Sequence, residues 1–191
     1  MYNYDKDFID VSKKLSFTDE EMLELYPHID DILNHDKWEL MRGYRHHLDT
    51  RAVHSLEVCC VAWRRAKKMR KCDEAAVAIG ALLHDFFLYD WQTEKASLDD
   101  LDIHRRVYTP KMHGFIHPLI ALDNAYRYFP QFMNPKIEDI ILKHMWPLTI
   151  NPPRCREAWL VCLTDKSCSL NVFKAPRELP KYLGIKMRNS K

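Results

Sequence analysis

The nine residues from Ala75 to Leu83 (Ala-Ala-Val-Ala-Ile-Gly-Ala-Leu-Leu) contain no polar side chain, and His84-Asp85 follow directly. Asp73 is placed to cap a helix over residues 74–87. A helix that is apolar on nearly every face has none to give to water, so other elements must surround it. The rest of the chain reads as helices able to do so. Thr18-Asp19-Glu20-Glu21 is a capping box opening a short helix toward Tyr26, and Pro27 stops it. Residues 29–44 read as one or two short helices with Ile32, Leu33, Trp38 and Met41 on an apolar stripe. Residues 50–71 form a helix carrying Val53, Leu56, Val58, Val61 and Ala62. Residues 115–129 return to helix, with Pro118 near the start, and Asn134-Pro135 caps and opens another over 135–145. After a Pro-rich loop, residues 154–170 form the last long helix.

Residues 1–17 read as a loosely packed lead-in. Residues 90–112 read as a polar surface loop near the site, and the tail after Pro176 as one short turn or helix. No credible strand pair is present, and only 4 glycines serve 191 residues. The expected fold class is therefore all-α, a compact helical bundle.

At 191 residues the chain fits one domain, able to bury about 70% of the surface of its unfolded form. The N-terminus is acidic and polar, unlike a secretory signal, and no window approaches a membrane span. The cysteines at 59, 60, 72, 155, 162 and 168 form no Cys-x-x-Cys pair and read as buried thiols of a reducing cytoplasm. The net charge of +2 gives no general attraction to nucleic acid or anionic lipid. The basic run of Arg64, Arg65, Lys67, Lys68, Arg70 and Lys71 reads as a solvated helix end complementing the helix dipole, not as a nucleic-acid track.

The chemistry lies in an order of residues: His54, His84-Asp85, His113, His144, Asp165, each in or beside a helix. A carboxylate beside an imidazole at the end of an apolar run is expensive to bury unless something neutralises it, and a divalent cation does so. Imidazole and carboxylate without thiolate suit Zn, Fe, Mn, Co or Ni and argue against a closed structural zinc site. Six such ligands exceed the needs of one four-coordinate ion and fit two ions bridged by a carboxylate.

In these segments the chain resembles the HD superfamily of metal-dependent phosphohydrolases. They are VHSLEV at His54, IGALLHDFFLYD at His84 and Asp85, HGFIHPLIALDNA at His113, IILKHMWPL at His144, and WLVCLTDKSCS at Asp165. The likeness runs over residues 45–170 and implies a single HD domain across 1–191, with N- and C-terminal helical extensions. It implies that His54, His84, Asp85 and Asp165 hold a first ion, and that a bridging Asp85 with His113 and His144 holds a second. The nearest likeness is to uncharacterised bacterial HD hydrolases and, more distantly, to those cleaving dinucleoside tetraphosphates. His117 follows His113 by one turn, so either can be the ligand. His113 is preferred because the related group has a non-ligating residue at the later position; His117 then lies behind the ligands or touches substrate.

One position departs from the pattern. Several HD hydrolases carry Lys three residues after the Asp of the pair, where this chain has Leu88. Phosphate charge must then be met by Arg45, Lys143, Arg154, Arg156 or Lys166, with His46 at the site mouth. The expected activity is hydrolysis of a phosphomonoester or nucleotide phosphoanhydride by a metal-bridging hydroxide, with two cations about 3.5–4 Å apart. Asp85 serves as bridge, and His117 or Lys143 protonates the leaving oxygen. The expected partner is a small phosphorylated metabolite or nucleotide; no membrane partner is expected, nucleic acid is disfavoured, and a homodimer is compatible. The same ligands serve mixed-valent di-iron oxygenases such as myo-inositol oxygenase, which is the alternative; a non-catalytic metal-binding signalling module is another.

Overall fold

A computed structural model describes residues 3–46, 49–90 and 112–170. The loop expected over 90–112 falls almost wholly outside these residues, and the tail after Pro176 does so entirely.

The chain opens with α1 (Lys6–Lys14), not with a loose lead-in. Asp5 caps it by accepting from the amides of Asp7 and Phe8, and Phe8 and Val11 are buried. The apolar stripe is only Phe8, Val11 and the partly buried Leu15, interleaved with Asp and Lys, so the pattern is too short to read by period. A turn through Ser16, at a left-handed φ of 52°, leads into α2 (Asp19–Leu25). Its capping box forms as expected: Thr18 accepts from the Glu21 amide and Glu21 accepts from the Thr18 amide. A 3-10 turn at Tyr26–His28 is followed by α3 (Asp30–Leu33) and α4 (Asp36–Met41), which bury Ile32, Leu33, Trp38 and Met41.

Two short strands come next, β1 (Arg45–His46) and β2 (Asp49–Thr50), paired antiparallel. This ribbon was not expected; two residues per strand leave no alternation to detect. It feeds α5 (Arg51–Ala66), capped by Thr50. The buried apolar helix is α6 (Glu74–Leu83), capped by Asp73 as anticipated. Then come α7 (His113–Tyr128), α8 (Pro135–Lys143), capped by Asn134, and α9 (Arg156–Ser169).

The described residues form an all-α bundle apart from that ribbon. α6 is its axis, packed against α5, α7, α8 and α9, while α1 lies on α5. Residues 76–83 of α6 are all buried, which answers the demand its sequence makes. Gly80 sets one of these approaches: a Cβ there would lie 2.6 Å from Cδ1 of Ile140, so the missing side chain lets α8 close on α6. Among the described residues, no helix is long and apolar enough to cross a membrane.

The basic run at the end of α5 is only partly a solvated end. Lys67, Lys68, Arg70 and Lys71 are exposed. Arg64 instead pairs with Glu21 at 2.6 Å and donates to the carbonyls of Leu15 and Ser16, gripping the turn between α1 and α2. Arg65 reaches Thr164 Oγ1 on α9 at 2.9 Å. These two cations are used within the fold.

Candidate metal centre

Five helices deliver the candidate ligands to one end of α6. His54 comes from the first turn of α5. His84 is the C-cap residue of α6, and Asp85 follows in a tight turn closed by the Phe87 amide on the Asp85 carbonyl at 2.8 Å. His117 lies on α7, His144 is the C-cap of α8, and Asp165 lies on α9. All six side chains are buried.

They form two groups that share one residue. Donor atoms of His54, His84 and Asp85 all lie within 4.8 Å of one another, and so do those of Asp85, His117 and His144. Asp85 Oδ2 lies 3.7 Å from His84 Nε2. Its other oxygen, Oδ1, lies 3.3 Å from His117 Nε2 and 3.5 Å from His144 Nε2. One carboxylate thus turns an oxygen to each group. Asp165 Oδ1 completes the first group, 3.0 Å from His54 Nε2 and 3.6 Å from His84 Nε2.

The backbone fixes which face of each imidazole looks inward. His84 Nδ1 is 2.7 Å from the Ala81 carbonyl, His144 Nδ1 is 2.8 Å from that of Ile141, and His117 Nδ1 is 3.0 Å from that of His113. A carbonyl oxygen only accepts, so Nδ1 carries the proton in all three rings and the neutral ring turns a bare Nε2 lone pair toward the centre. His117 and His144 bring these Nε2 atoms to 2.8 Å of each other. Two lone pairs at that distance need a proton or a cation between them. Among the described residues, His84 Nε2 is buried with no hydrogen-bond partner.

This geometry fits a cation. At a metal–ligand distance of about 2.1 Å, ligand atoms 90° apart are separated by about 3.0 Å and tetrahedral ones by about 3.4 Å. The 3.3, 3.5 and 3.6 Å separations are long for hydrogen bonds and fall near these ligand spacings.

Charge follows the same lines. Burial works against ionisation of Asp85, yet His84, His117 and His144 hold its carboxyl well below the usual range. Burial likewise opposes Asp165, which His54 and His84 hold down. Burial would lower His84, but Asp85 and Asp165 overcome it and push the imidazole up to about 9. The two carboxylates are thus ionised with a protonated His84 between them, while burial pushes His144 down.

The structure places His117, not His113, in the second group. His113 stacks on His117 with centroids 4.8 Å apart, and its Nδ1 meets the Tyr89 hydroxyl at 3.0 Å. Burial first, and then His117, push it down to about 4. The two residues share a face of α7, and only the depth at which α7 docks on α6 chooses between them.

The expected phosphate-binding cations fare unevenly. Lys166 is turned away to the carbonyl of His144 at 2.6 Å. Arg156 donates to the Arg70 carbonyl, and Arg154 is exposed beside it. Both sit at the start of α9; Arg156 is nine residues before Asp165, about 13 Å along the helix. Neither is near the centre, because α9 carries its N-terminal end away from Asp165. Lys143 is half-buried and precedes His144. The side chains of Arg45 and His46 lie outside the described residues.

A fully buried Arg51 went unnoticed in the sequence. It stands three residues before His54, where an isolated arginine reads as solvated. Burial pushes it down to about 10, against the pull of Asp85.

No protein-family model, no curated protein and no solved structure matches the chain.

Proposed function

We propose that this chain is a metal-dependent hydrolase of phosphomonoesters or nucleotide phosphoanhydrides, akin to the HD enzymes it resembles, working with two divalent cations. The observation that supports it is the bridging disposition of Asp85, one oxygen toward His84 and the other toward His117 and His144. His54, His84, Asp85 and Asp165 would hold one ion, and Asp85, His117 and His144 the other. Such ions, when bound, lower the pKa of water toward neutrality and draw charge from a phosphoryl oxygen.

The protein's own part is orientation, dryness and proton traffic. The Nδ1 bonds to Ala81, Ile141 and His113 keep three imidazoles in the ligating tautomer. Phe87, buried with its ring 5.3 Å from that of His117, walls the centre and lowers its dielectric. His113, stacked on His117 and held by Tyr89, is pushed down to about 4 and so is neutral near pH 7, a half-buried ring that lines the site rather than its proton donor. His117 is not that donor either, because its Nε2 faces His144. Lys143, next to His144, is a candidate for phosphate charge and for protonating a departing oxygen, and Arg45, whose side chain lies outside the described residues, is another candidate for phosphate charge.

The test is metal content after anaerobic reconstitution, followed by a phosphate-release screen of phosphorylated metabolites under Mn, Fe and Co loading. Near two ions per chain with release of phosphate is expected. A blank screen with oxygen uptake under iron loading would replace hydrolysis with the oxygenase chemistry of the same ligand set.

A further inference from the structure

The segment that leaves the centre, Phe86–Tyr89, is neither helix nor strand, and Phe86 and Phe87 are buried. Its carbonyls have no ladder to join, yet all four are taken by side chains from elsewhere. Asn124 Nδ2 donates to the Phe86 carbonyl at 3.0 Å. Arg51 Nη1 donates to that of Phe87, the Tyr44 hydroxyl to that of Leu88 at 3.2 Å, and Arg51 Nη2 to that of Tyr89 at 3.3 Å.

We infer that Arg51, seconded by Tyr44 and Asn124, is a positioning residue that clamps the Phe86–Tyr89 segment and so fixes Asp85 and the aromatic wall over His117. The inference rests on the two-cation reading of the centre, not on the reaction. Arg51 supplies two of the four donors, straddling the carbonyl held by Tyr44, a span that a planar fork can cover and a single ammonium cannot. Its guanidinium lies 3.5 Å from the Phe87 ring centroid and 4.8 Å from that of Tyr44. The Phe87 ring in turn stands 5.0 Å from His113 and 5.3 Å from His117. The Arg51 amide also donates to the Tyr44 carbonyl at 2.9 Å, and His54 follows one turn later on α5. One residue therefore ties the helix that carries His54 to the turn that carries Asp85. Burying a guanidinium is costly without such partners, so packing alone would favour an apolar residue there.

The geometric role and a purely electrostatic one predict opposite results. Removing a buried cation beside two metal ions should tighten metal binding if charge dominates, and a lysine should then behave as wild type. If the clamp dominates, Arg51→Lys and Arg51→Met should both lose affinity for the second ion by about tenfold or more, read by titrating the 191-residue chain with Co(II) and following its visible absorption. Tyr44→Phe and Asn124→Ala each delete one bond without touching the buried charge and should lose about threefold, with the Co(II) band shifted in the same direction. An unchanged Arg51→Lys, or an Arg51→Met that binds more tightly, overturns the clamp. If the Arg51 variants do not fold, wild-type Co(II) binding by both Tyr44→Phe and Asn124→Ala overturns it instead. Wild-type protein that binds no Co(II) overturns the two-cation reading and the clamp together; wild-type protein that binds two ions but releases no phosphate defeats only the proposed reaction.

Discussion

Two polar clusters lie at opposite ends of the same helices. At the N-terminal ends of α6, α8 and α9, Lys136 bridges Asp73 at 2.9 Å and Glu157 at 3.4 Å, and the Asp73 amide donates to Glu157 at 3.0 Å. Donors there meet acceptors, and the acids sit where the helix dipoles favour them. At the other end, beyond the last turns of α6 and α8 and along α9, the partners do not match: His117 Nε2 faces His144 Nε2 at 2.8 Å, and a buried His84 stands between Asp85 and Asp165 with no close hydrogen bond from its Nε2. The first cluster is complete with protein atoms alone. The second is complete only with protons or cations, and the C-terminal ends of α6 and α8 favour the positive charge it lacks. Polar groups sharing the same helices are thus told apart by whether their hydrogen-bonding needs close within the protein.

The sharpest way to break this contrast is to remove the shared carboxylate. Asp85→Ala should leave fewer than two ions per chain by elemental analysis and cost turnover more than about 100-fold. Asp73→Ala, at the closed end, should leave metal content and turnover unchanged. Full metal occupancy in Asp85→Ala would show that the two groups do not depend on a bridge.

The two histidines of α7 give the next largest difference. His117→Gln should lose the second ion and retain the first, whereas His113→Gln should keep both. The reverse pattern would return the ligand role to His113.

Acidity tests the charge on the metal-free centre. His84 in the metal-free protein is raised from 6.5 to about 9, so its protonation adds stability below pH 6.5 that is lost as pH rises through 9. Asp85 and Asp165 are depressed, so their contribution is present above pH 3.8 and is lost on acidification. The chelated protein should therefore melt about 5 °C lower at pH 9 than at pH 6.5, while metal-loaded protein should show no such fall. Equal slopes with and without metal would mean that the cations bind elsewhere.

The smallest effect belongs to the closed cluster. Asp73→Ala should destabilise by about 1 kcal/mol through the lost α6 cap, measured by urea unfolding. A loss several times larger would show that this end, too, carries an uncompensated charge.

Much of this organisation is local and so was legible in the chain. The Thr18–Glu21 capping box, the Asp73 and Asn134 caps and the apolar run of α6 each act within one or two turns. The ligand types were legible for a related reason. His54, His84, His144 and Asp165 each occupy a helix or its cap, Asp85 follows directly on one, and a buried carboxylate beside an imidazole needs a counter-charge in any fold. The resemblance carried the same residues. What escaped was what depends on how helices meet. Arg64 and Arg65 look solvated until α2 and α9 are set beside them, and Arg51 looks ordinary until the Phe86–Tyr89 carbonyls turn toward it.

The sequence by itself determined that this chain is helical, that α6 is its buried axis, and that five of the candidate ligands stand on or just beyond successive helices. These follow from periodicity, caps and the cost of burying charge. Only the tertiary structure decided that His117 rather than His113 enters the centre, that Arg154, Arg156 and Lys166 are occupied or distant, and that Arg51 closes over the turn after Asp85. Helix periodicity specifies which residues share a face, but the depth and direction at which two faces dock are set by packing across the whole core, as Gly80 against Ile140 shows.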